Sequence, residues 1–310
     1  MNFRTLVLFG MLLFTLFDYA HVPSPNNDPV FVFDLGGVLF DVNTFGMAQE
    51  IGISYLISYI FHEYKIPYHI KSRVFEFMNH LGAQEPLIIP EVSTPLYIRH
   101  DGHVLPNIFC QFMAGRISAS TAQEKLLSLS QQLSEQNWFT SVYEKALIER
   151  IMLLMFDAKK RTAHMYEIAE GIALVKHCKN LGYRVYILSN WDEEGKNRIG
   201  DLYHNFFDTY VDGIMISADT DILTNKPHPE IYAAFCKRYG VKPEQIYFFD
   251  DTPENVLVAN NLKWHGILCN EHTLLWAHAY VDTIHMLHTL KNPSSYKPSQ
   301  NVLYPEVCHL

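Results

Sequence analysis

The chain has 310 residues, of which 48% are hydrophobic and 18% charged, so it can bury a large core, which excludes a disordered or fibrous protein. Lys and Arg total 24 against 33 Asp and Glu, which gives a formal charge of −9 and excludes the basic surface that nucleic-acid binding needs. We therefore expect no nucleic-acid partner. An anionic ligand is still compatible with this charge, since a metal ion inside a site can override it locally.

The first 20 residues form an apolar leader, in which Arg4 precedes an apolar run at 6–17. These twelve residues match the hydrophobic part of a secretory signal peptide and are too few to span a bilayer, which takes roughly 20. Cleavage near Ala20 is weakened by Asp18, which stands where a small residue is preferred. We expect an exported protein, periplasmic or secreted. An uncleaved membrane anchor at 1–20 and an accidental leader on a cytoplasmic protein are the alternatives.

The cysteines bear on the same question. Their number is odd, they are far apart in the sequence, and none forms a CxxC pair, so we expect buried free thiols rather than disulfides. Free thiols fit poorly with an oxidising compartment and thus argue against export. The five are Cys110, Cys178, Cys236, Cys269 and Cys308.

Short apolar runs and helical patterns alternate in two parts of the chain. The first run, at 30–33, follows a linker at 21–29 that is rich in Pro and Asn. Strands that alternate with helices of this length predict an α/β fold with a doubly wound parallel sheet. Further strands are predicted at 183–188, 211–216, 246–249 and 267–269, and helices at 166–180, 229–239 and 253–262.

The alternation is interrupted between residues 44 and 164. Amphipathic helical patterns at 51–64 and 122–133 have no matching strands, and the stretch at 81–107 is irregular and rich in Pro. A possible capping box at 121–124 predicts the start of one helix. We therefore predict a helical cap domain inserted into the core. The predicted division is a leader at 1–20, a linker at 21–29, a core at 30–43 and 165–275, a cap at 44–164 and a packed tail at 276–310.

Polar residues stand where the predicted strands end. The carboxyl ends of parallel strands share one edge of a sheet, and ligands bind there. We therefore expect these residues to form one site. The first strand is followed by Asp34, Gly36 and Gly37, the strand at 183–188 by Ser189 and Asn190, the strand at 246–249 by Asp250 and Asp251, and Lys226 precedes the helix at 229–239.

Together these residue types suit phosphoryl transfer. A carboxylate attacks phosphorus only if its repulsion with the phosphate is neutralised, and clustered carboxylates bind Mg²⁺ for that purpose. Ser189 and Asn190 can donate hydrogen bonds to phosphate oxygens, and Lys226 can stabilise developing negative charge. Each motif alone has an ordinary structural explanation, such as a turn or a helix N-terminus. Their joint placement at successive strand ends favours a site.

Four segments resemble the motifs of the haloacid dehalogenase-like (HAD) hydrolases. The sequence FVFDLGGVL at 31–39 resembles the first motif and YILSN at 186–190 the second. KPHPEIY at 226–232 is similar to the third, and FFDDTPEN at 248–255 to the fourth. The insertion lies where the helical-cap subgroup of this family carries its cap. The resemblance is closest to the sugar-phosphate phosphatases of that subgroup.

This resemblance implies a phosphatase that depends on Mg²⁺ and acts on a small phosphorylated metabolite. Asp34 would be the nucleophile that forms an aspartyl-phosphate. Lys226 and Ser189, with Asn190 beside them, would bind the phosphate. The implied Mg²⁺ ligands are Asp34, the backbone carbonyl of Gly36 and Asp250, with Asp251 as a further ligand or directly behind the ligands.

One position departs from the family pattern. Most phosphatases of the family have a second Asp two residues after the nucleophile, as general acid and base, and here that position is Gly36. Asp41, His100 and His103 are candidate substitutes, and if one of them acts, an acid added at position 36 would only crowd the site.

Two other functions stay open because of this departure. One is a catalytically weak binding or effector protein with the family fold. The other is a 2-haloacid dehalogenase, since that branch of the family also lacks the second Asp. Dehalogenases use no metal and do not need the acidic pair at 250–251, so the pair favours phosphate chemistry.

Overall fold

The apolar leader predicted at 1–20 lies outside the part of the chain that the computed structural model describes. Among the described helices, none is both long and apolar enough to cross a membrane. Export, anchoring and compartment therefore stay predictions. The structure describes residues 28–63, 68–90, 92–100, 102–219 and 221–291.

A five-stranded sheet lies at the centre of the core. All neighbouring strands pair in parallel, so their carboxyl ends lie at one edge. The apolar runs predict these strands well, although those at 211–216 and 267–269 differ at their ends. In order across the sheet, the strands are Gly213–Ile216 (β7), Arg184–Ser189 (β6), Val30–Phe33 (β1), Ile246–Asp250 (β8) and His265–Leu268 (β9).

Alternate side chains of β1 enter two different apolar cores. Phe31 and Phe33 pack on one side of the sheet, and Val30 and Val32 pack on the other. Burial on both faces explains why the strands are continuous apolar runs, and it confirms the predicted doubly wound sheet. Ala169–Asn180 (α8), Glu193–Leu202 (α9), His204–Tyr210 (α10) and Glu271–Lys291 (α13) lie on the first side, and Pro229–Tyr239 (α11) and Pro253–Asn261 (α12) on the second.

The helices between β1 and α8 agree with the predicted helical cap. They enclose an apolar core of their own, which includes Phe77, Leu126 and Phe156. Ile89 and Leu96 of the same segment pack instead on the second side of the sheet. At its base, Phe40–Val42 (β2) pairs antiparallel with Met165–Glu167 (β5), so the chain enters and leaves the cap side by side. The cap contains Thr44–Ile51 (α1), Ile53–Glu63 (α2), Tyr68–Asn79 (α3), Arg99–His100 (β3), His103–Val104 (β4), Asn107–Met113 (α4), Ala119–Glu135 (α5), Val142–Leu154 (α6) and Ala158–Ala163 (α7).

Two helices begin elsewhere than predicted. The helix expected at 166–180 begins at Ala169, because the residues before it pair with β2 as a strand. Helix α5 begins before the capping box proposed at 121–124. The side chain of Ser118 accepts a hydrogen bond from the backbone N–H of Thr121 and is the actual N-cap.

The expected start of the tail, residue 276, lies inside α13. Leu274, Ala277 and Val281 recur at helical spacing on both sides of this boundary and are buried against the core. The helix is therefore continuous across residue 276, and the division between core and packed tail stays a prediction. The rest of the predicted tail lies outside the described residues.

The cysteines within the described residues are free thiols, as predicted. Cys110, Cys178 and Cys269 are buried, whereas Cys236 is only half-buried. Burial raises the pKa of Cys110 to about 12 and that of Cys236 to about 11, so both thiols are protonated at neutral pH. Cys308 lies outside the described part of the chain.

Helix α8 packs very closely on the loop after β1. An ideal Cβ at Gly171 would lie only 1.9 Å from the carbonyl oxygen of Val38. We expect Gly171→Ala to lower the free energy of unfolding by about 1–3 kcal/mol, as measured by urea titration, because the helix must move outward. The matched control is Gly200→Ala in α9, where nothing lies within 4 Å of the added Cβ and stability should be unchanged or slightly higher. Equal stability of the two variants would contradict the packing argument.

Candidate active site

The sheet brings the predicted site residues together at its carboxyl edge. Asp34 follows β1, which lies between β6 and β8. Ser189 ends β6, and Asp250 ends β8. Lys226 reaches this edge from the loop before α11, and its Nζ lies 3.0 Å from Asp34 Oδ1 and 2.6 Å from Asp250 Oδ2. The strand order alone therefore accounts for the meeting of residues more than 200 positions apart.

Lys226 is a fully buried cation at the centre of this cluster. Besides the two carboxylates, its Nζ donates to the carbonyl oxygen of Leu188 at 2.9 Å, and an ammonium has only three N–H groups. Burial lowers the pKa of Lys226, but the charges of Asp250 and Asp34 outweigh it and raise that pKa above the usual value. The ammonium is thus charged and engaged with both carboxylates. To bind phosphate, as predicted, the ammonium of Lys226 would have to give up one of these three partners.

The two residues at the end of β6 make different contacts. Ser189 is buried, and its hydroxyl lowers the pKa of Asp34. The side chain of Asn190 pairs with the backbone of Lys226, accepting from its N–H at 2.7 Å and donating to its carbonyl at 2.9 Å. Asn190, predicted to bind phosphate, therefore holds the loop that carries the lysine. Direct phosphate contacts of either residue stay predictions.

Asp250 is held by more partners than the sequence suggested. It accepts hydrogen bonds from Lys226, from the backbone N–H of Thr252 at 2.9 Å and from Asn255 Nδ2 at 2.9 Å. Asn255 is itself buried, and its backbone carbonyl oxygen accepts a hydrogen bond from the hydroxyl of Tyr232 at 3.0 Å. Burial raises the pKa of Asp250 to about 6, against the lowering effect of these donors. Asn255 had no predicted role, and its place in the fourth motif segment at 248–255 was the available signal.

Three carboxylates of the site fit a divalent cation. Asp34, Asp250 and Asp251 each offer an oxygen, and these atoms lie within 4.8 Å of one another. Burial raises the pKa of Asp34, the charge of Lys226 lowers it, and the charge of Asp251 raises it further. Three carboxylates and one ammonium leave a formal charge of −2, which one Mg²⁺ would balance. Carboxylate oxygens are the ligands that Mg²⁺ prefers, so this donor set fits the predicted metal.

The two glycines after Asp34 differ in the side chains that they would tolerate. Gly37 has φ 67°, and an ideal Cβ there would lie 2.3 Å from an Asp251 carboxylate oxygen. Position 37 therefore requires glycine. At Gly36, nothing lies within 4 Å of an ideal Cβ. Packing thus does not prevent an acid at position 36, and the ligand role predicted for the Gly36 carbonyl stays a prediction.

The candidate substitutes for the missing acid have other partners. Asp41 is exposed on β2, where its carboxylate accepts a hydrogen bond from the Tyr166 hydroxyl at 3.2 Å. His103 is exposed on β4 and stacks on Phe75 of the cap, with ring centroids 3.9 Å apart. The side chain of His100 is not among those that the structure describes. These contacts of Asp41 and His103 do not link either residue to the carboxylate cluster.

A family model for haloacid dehalogenase-like hydrolases matches residues 29–263. This span covers most of the chain, including four of the five strands of the parallel sheet, and β9 lies just beyond it. The chain belongs to this family. Its four motif segments therefore occupy the positions at the sheet edge that the resemblance implied.

Several solved structures are similar to this HAD hydrolase. A HAD family enzyme from Bacteroides thetaiotaomicron, in complex with magnesium and inorganic phosphate, has 17% identity and a TM-score of 0.46 over 78% of this chain and 94% of that one. A predicted HAD-like family hydrolase from Porphyromonas gingivalis has 21% identity and a TM-score of 0.44 over 83% and 98%. A dehalogenase has 19% identity and a TM-score of 0.44 over 81% and 96%.

The buried lysine makes a testable prediction about stability and pH. In Lys226→Met, Asp34 and Asp250 lose their buried counter-charge, so we expect the free energy of unfolding at pH 8 to fall by about 3–5 kcal/mol. The loss should be smaller at pH 5. The charge of Lys226 lowers the pKa of both carboxylates, so without it these pKa values rise further above their unfolded values. The folded variant therefore binds more protons than the folded wild type, and its loss of stability grows as pH rises through this window.

Urea unfolding of the metal-free protein at both pH values measures the effect. Lys237→Met, at an exposed position of α11, is the matched control and should change stability little at either pH. An equal loss at pH 5 and pH 8 would show that Lys226 stabilises by packing and not by charge.

Proposed function

We propose that this HAD hydrolase is a phosphatase that depends on Mg²⁺ and hydrolyses a small phosphorylated metabolite through an aspartyl-phosphate on Asp34. The observation that carries the proposal is the convergence of Asp34, Asp250 and Asp251 around the buried Lys226. Such a cluster has a nucleophile, a fixed cation and oxygen ligands for a metal within a few ångströms. These are the parts that phosphoryl transfer to a carboxylate requires.

The reaction would run in two steps on the side chain of Asp34. A carboxylate oxygen of Asp34 attacks phosphorus, and the bond between phosphorus and the leaving oxygen breaks. Water then attacks the phosphorus of the aspartyl-phosphate, which restores the carboxylate and releases inorganic phosphate. When bound, Mg²⁺ supplies the positive charge that offsets repulsion between the carboxylate and the phosphate.

The protein's own residues keep the nucleophile ready. The charge of Lys226 and the hydrogen bond from Ser189 both lower the pKa of Asp34 against the effect of burial, and so favour the ionised form that attacks. Asn190 holds the Lys226 backbone in place, and Asn255 does the same for the Asp250 carboxylate. These contacts restrict the motion of the reacting groups before substrate arrives.

Dehalogenation is the second candidate, because an aspartate nucleophile could also attack carbon. The acidic pair argues against it. Asp251 is exposed and adds negative charge next to Asp34, which would repel the carboxylate of a haloacid unless a cation were bound. In phosphate chemistry the same acidic pair would instead help to bind the metal ion.

Metal dependence is tested by phosphate release from an aryl phosphate, with Mg²⁺ and with excess chelator. We expect turnover only with Mg²⁺, and none in Asp34→Asn or Asp250→Asn, because each loses a ligand and the first also loses the nucleophile. Mg²⁺ should raise the Tm of the wild type and not that of Asp250→Asn. Asp208→Asn, at an exposed position of α10, is the control and should keep full activity.

The outcomes separate the alternatives. Full hydrolysis of a 2-haloacid in the presence of chelator would replace the proposal with dehalogenation. A Tm that rises with Mg²⁺ and phosphate, without turnover, would favour the binding or effector protein.

Position 36 tests how the leaving group is protonated. Nothing lies within 4 Å of an ideal Cβ at Gly36, which favours room for an acid there. We expect Gly36→Asp to raise kcat for aryl phosphate hydrolysis by about 10²-fold or more, which is typical of a positioned acid. Gly36→Asn is the matched control without the acid and should give no gain. If Gly36→Asp is no faster than Gly36→Asn, another group already transfers the proton, and Asp41→Asn should then slow the reaction.

A further inference from the structure

Ser217 connects two parts of the molecule although it lies outside all four motif segments. It follows β7 and is completely buried. Its backbone N–H donates to the carbonyl of Ser189 at 3.0 Å, and its Oγ accepts from the N–H of Trp191 at 2.9 Å. The same Oγ donates to the carbonyl of Met113 in the cap at 2.6 Å. One hydroxyl thus bonds both the segment after β6 and the cap.

The cap side of this contact is the C-terminal end of α4. Met113 is the last residue of that helix, where carbonyl groups have no partner within the helix. Asn225, the residue before Lys226, donates from its Nδ2 to the carbonyl of Cys110 at 2.8 Å. Just beyond the helix, Arg116 Nε donates to the carbonyl of Leu223 at 2.8 Å. The core loop between β7 and α11 therefore caps the end of a cap helix.

Separating these parts would be costly because the contact is buried. Ser217 and Asn225 are both at least nine-tenths buried. A buried polar group without its partner costs about 1–3 kcal/mol. These hydrogen bonds therefore favour a fixed position of the end of α4 relative to the segment after β6.

We propose that Ser217 is a positioning residue that fixes the segment 189–191 relative to the cap. This inference rests on the proposed phosphatase activity. Ser189 ends β6, which pairs directly with β1, the strand that Asp34 follows. A displacement of the cap therefore reaches the sheet edge next to the nucleophile through the hydroxyl of Ser217.

The kinetic test compares two wholly buried serines. Ser217→Ala removes both the acceptor for Trp191 and the donor to Met113. We expect kcat/KM for an aryl phosphate to fall by about 10- to 100-fold, and the inhibition constant of inorganic phosphate to rise, because the reacting groups are misplaced. The control is Ser130→Ala in α5, which loses a 2.6 Å hydrogen bond to Glu149 within the cap. It should lower the Tm and leave both constants unchanged.

Hydrogen exchange gives a readout that does not depend on activity. In Ser217→Ala, the amide of Trp191 and the amides at 113–116 should both exchange faster than in the wild type, and Ser130→Ala should change neither. Faster exchange at Trp191 alone would overturn the coupling to the cap. Faster exchange in both regions with unchanged kinetics would overturn the positioning role. An inactive wild type would refute the proposed function, while the exchange data would still decide whether Ser217 couples the two regions.

Discussion

The candidate site of this protein is organised around one buried lysine held between two buried carboxylates. A lone charge in the interior is costly, and Asp34, Asp250 and Lys226 are compensated only by one another and by the hydrogen bonds around them. Removal of Lys226 would leave both carboxylates without their counter-charge, and removal of either carboxylate would leave Lys226 with one partner fewer. The groups that hold the members, such as Asn190 and Asn255, therefore belong to the site as much as the carboxylates do.

The sequence predicted this cluster because a parallel sheet translates strand ends into spatial neighbours. Apolar runs located β1, β6 and β8, and the residue that follows or ends each run fell at the shared edge without knowledge of any contact. The cap was predictable for a related reason, since helical patterns without strands cannot join the sheet. In both cases the relevant information is local. It consists of the spacing of the apolar residues along the chain and the positions at which each regular pattern ends.

What could not be predicted are contacts between loops that lie far apart in the sequence. Asn190 and Lys226 are separated by 36 residues, and their pairing follows from how two loops approach one another. Ser217 was missed for the same reason. Local signals also failed where two were in competition: Ser118 and Thr121 both suit an N-cap, and only the backbone conformation shows that Ser118 is used. At α13, a boundary was drawn inside a helix whose apolar spacing continued unbroken.

The energetics of the buried cluster also bear on the alternative function, a binding or effector protein with little catalytic activity. Apolar residues of similar volume often stabilise a fold as well as a buried ion pair does. Stability alone therefore gives little reason for the buried charges of Asp34, Asp250 and Lys226. The exposed Asp251 adds a further negative charge next to them. Its carboxylate lies so close to Gly37 that no other residue fits at position 37. Unbalanced negative charge of this kind destabilises the metal-free protein. A cation relieves the repulsion, and the site is therefore better explained by the ligand that it would bind than by the fold that it belongs to.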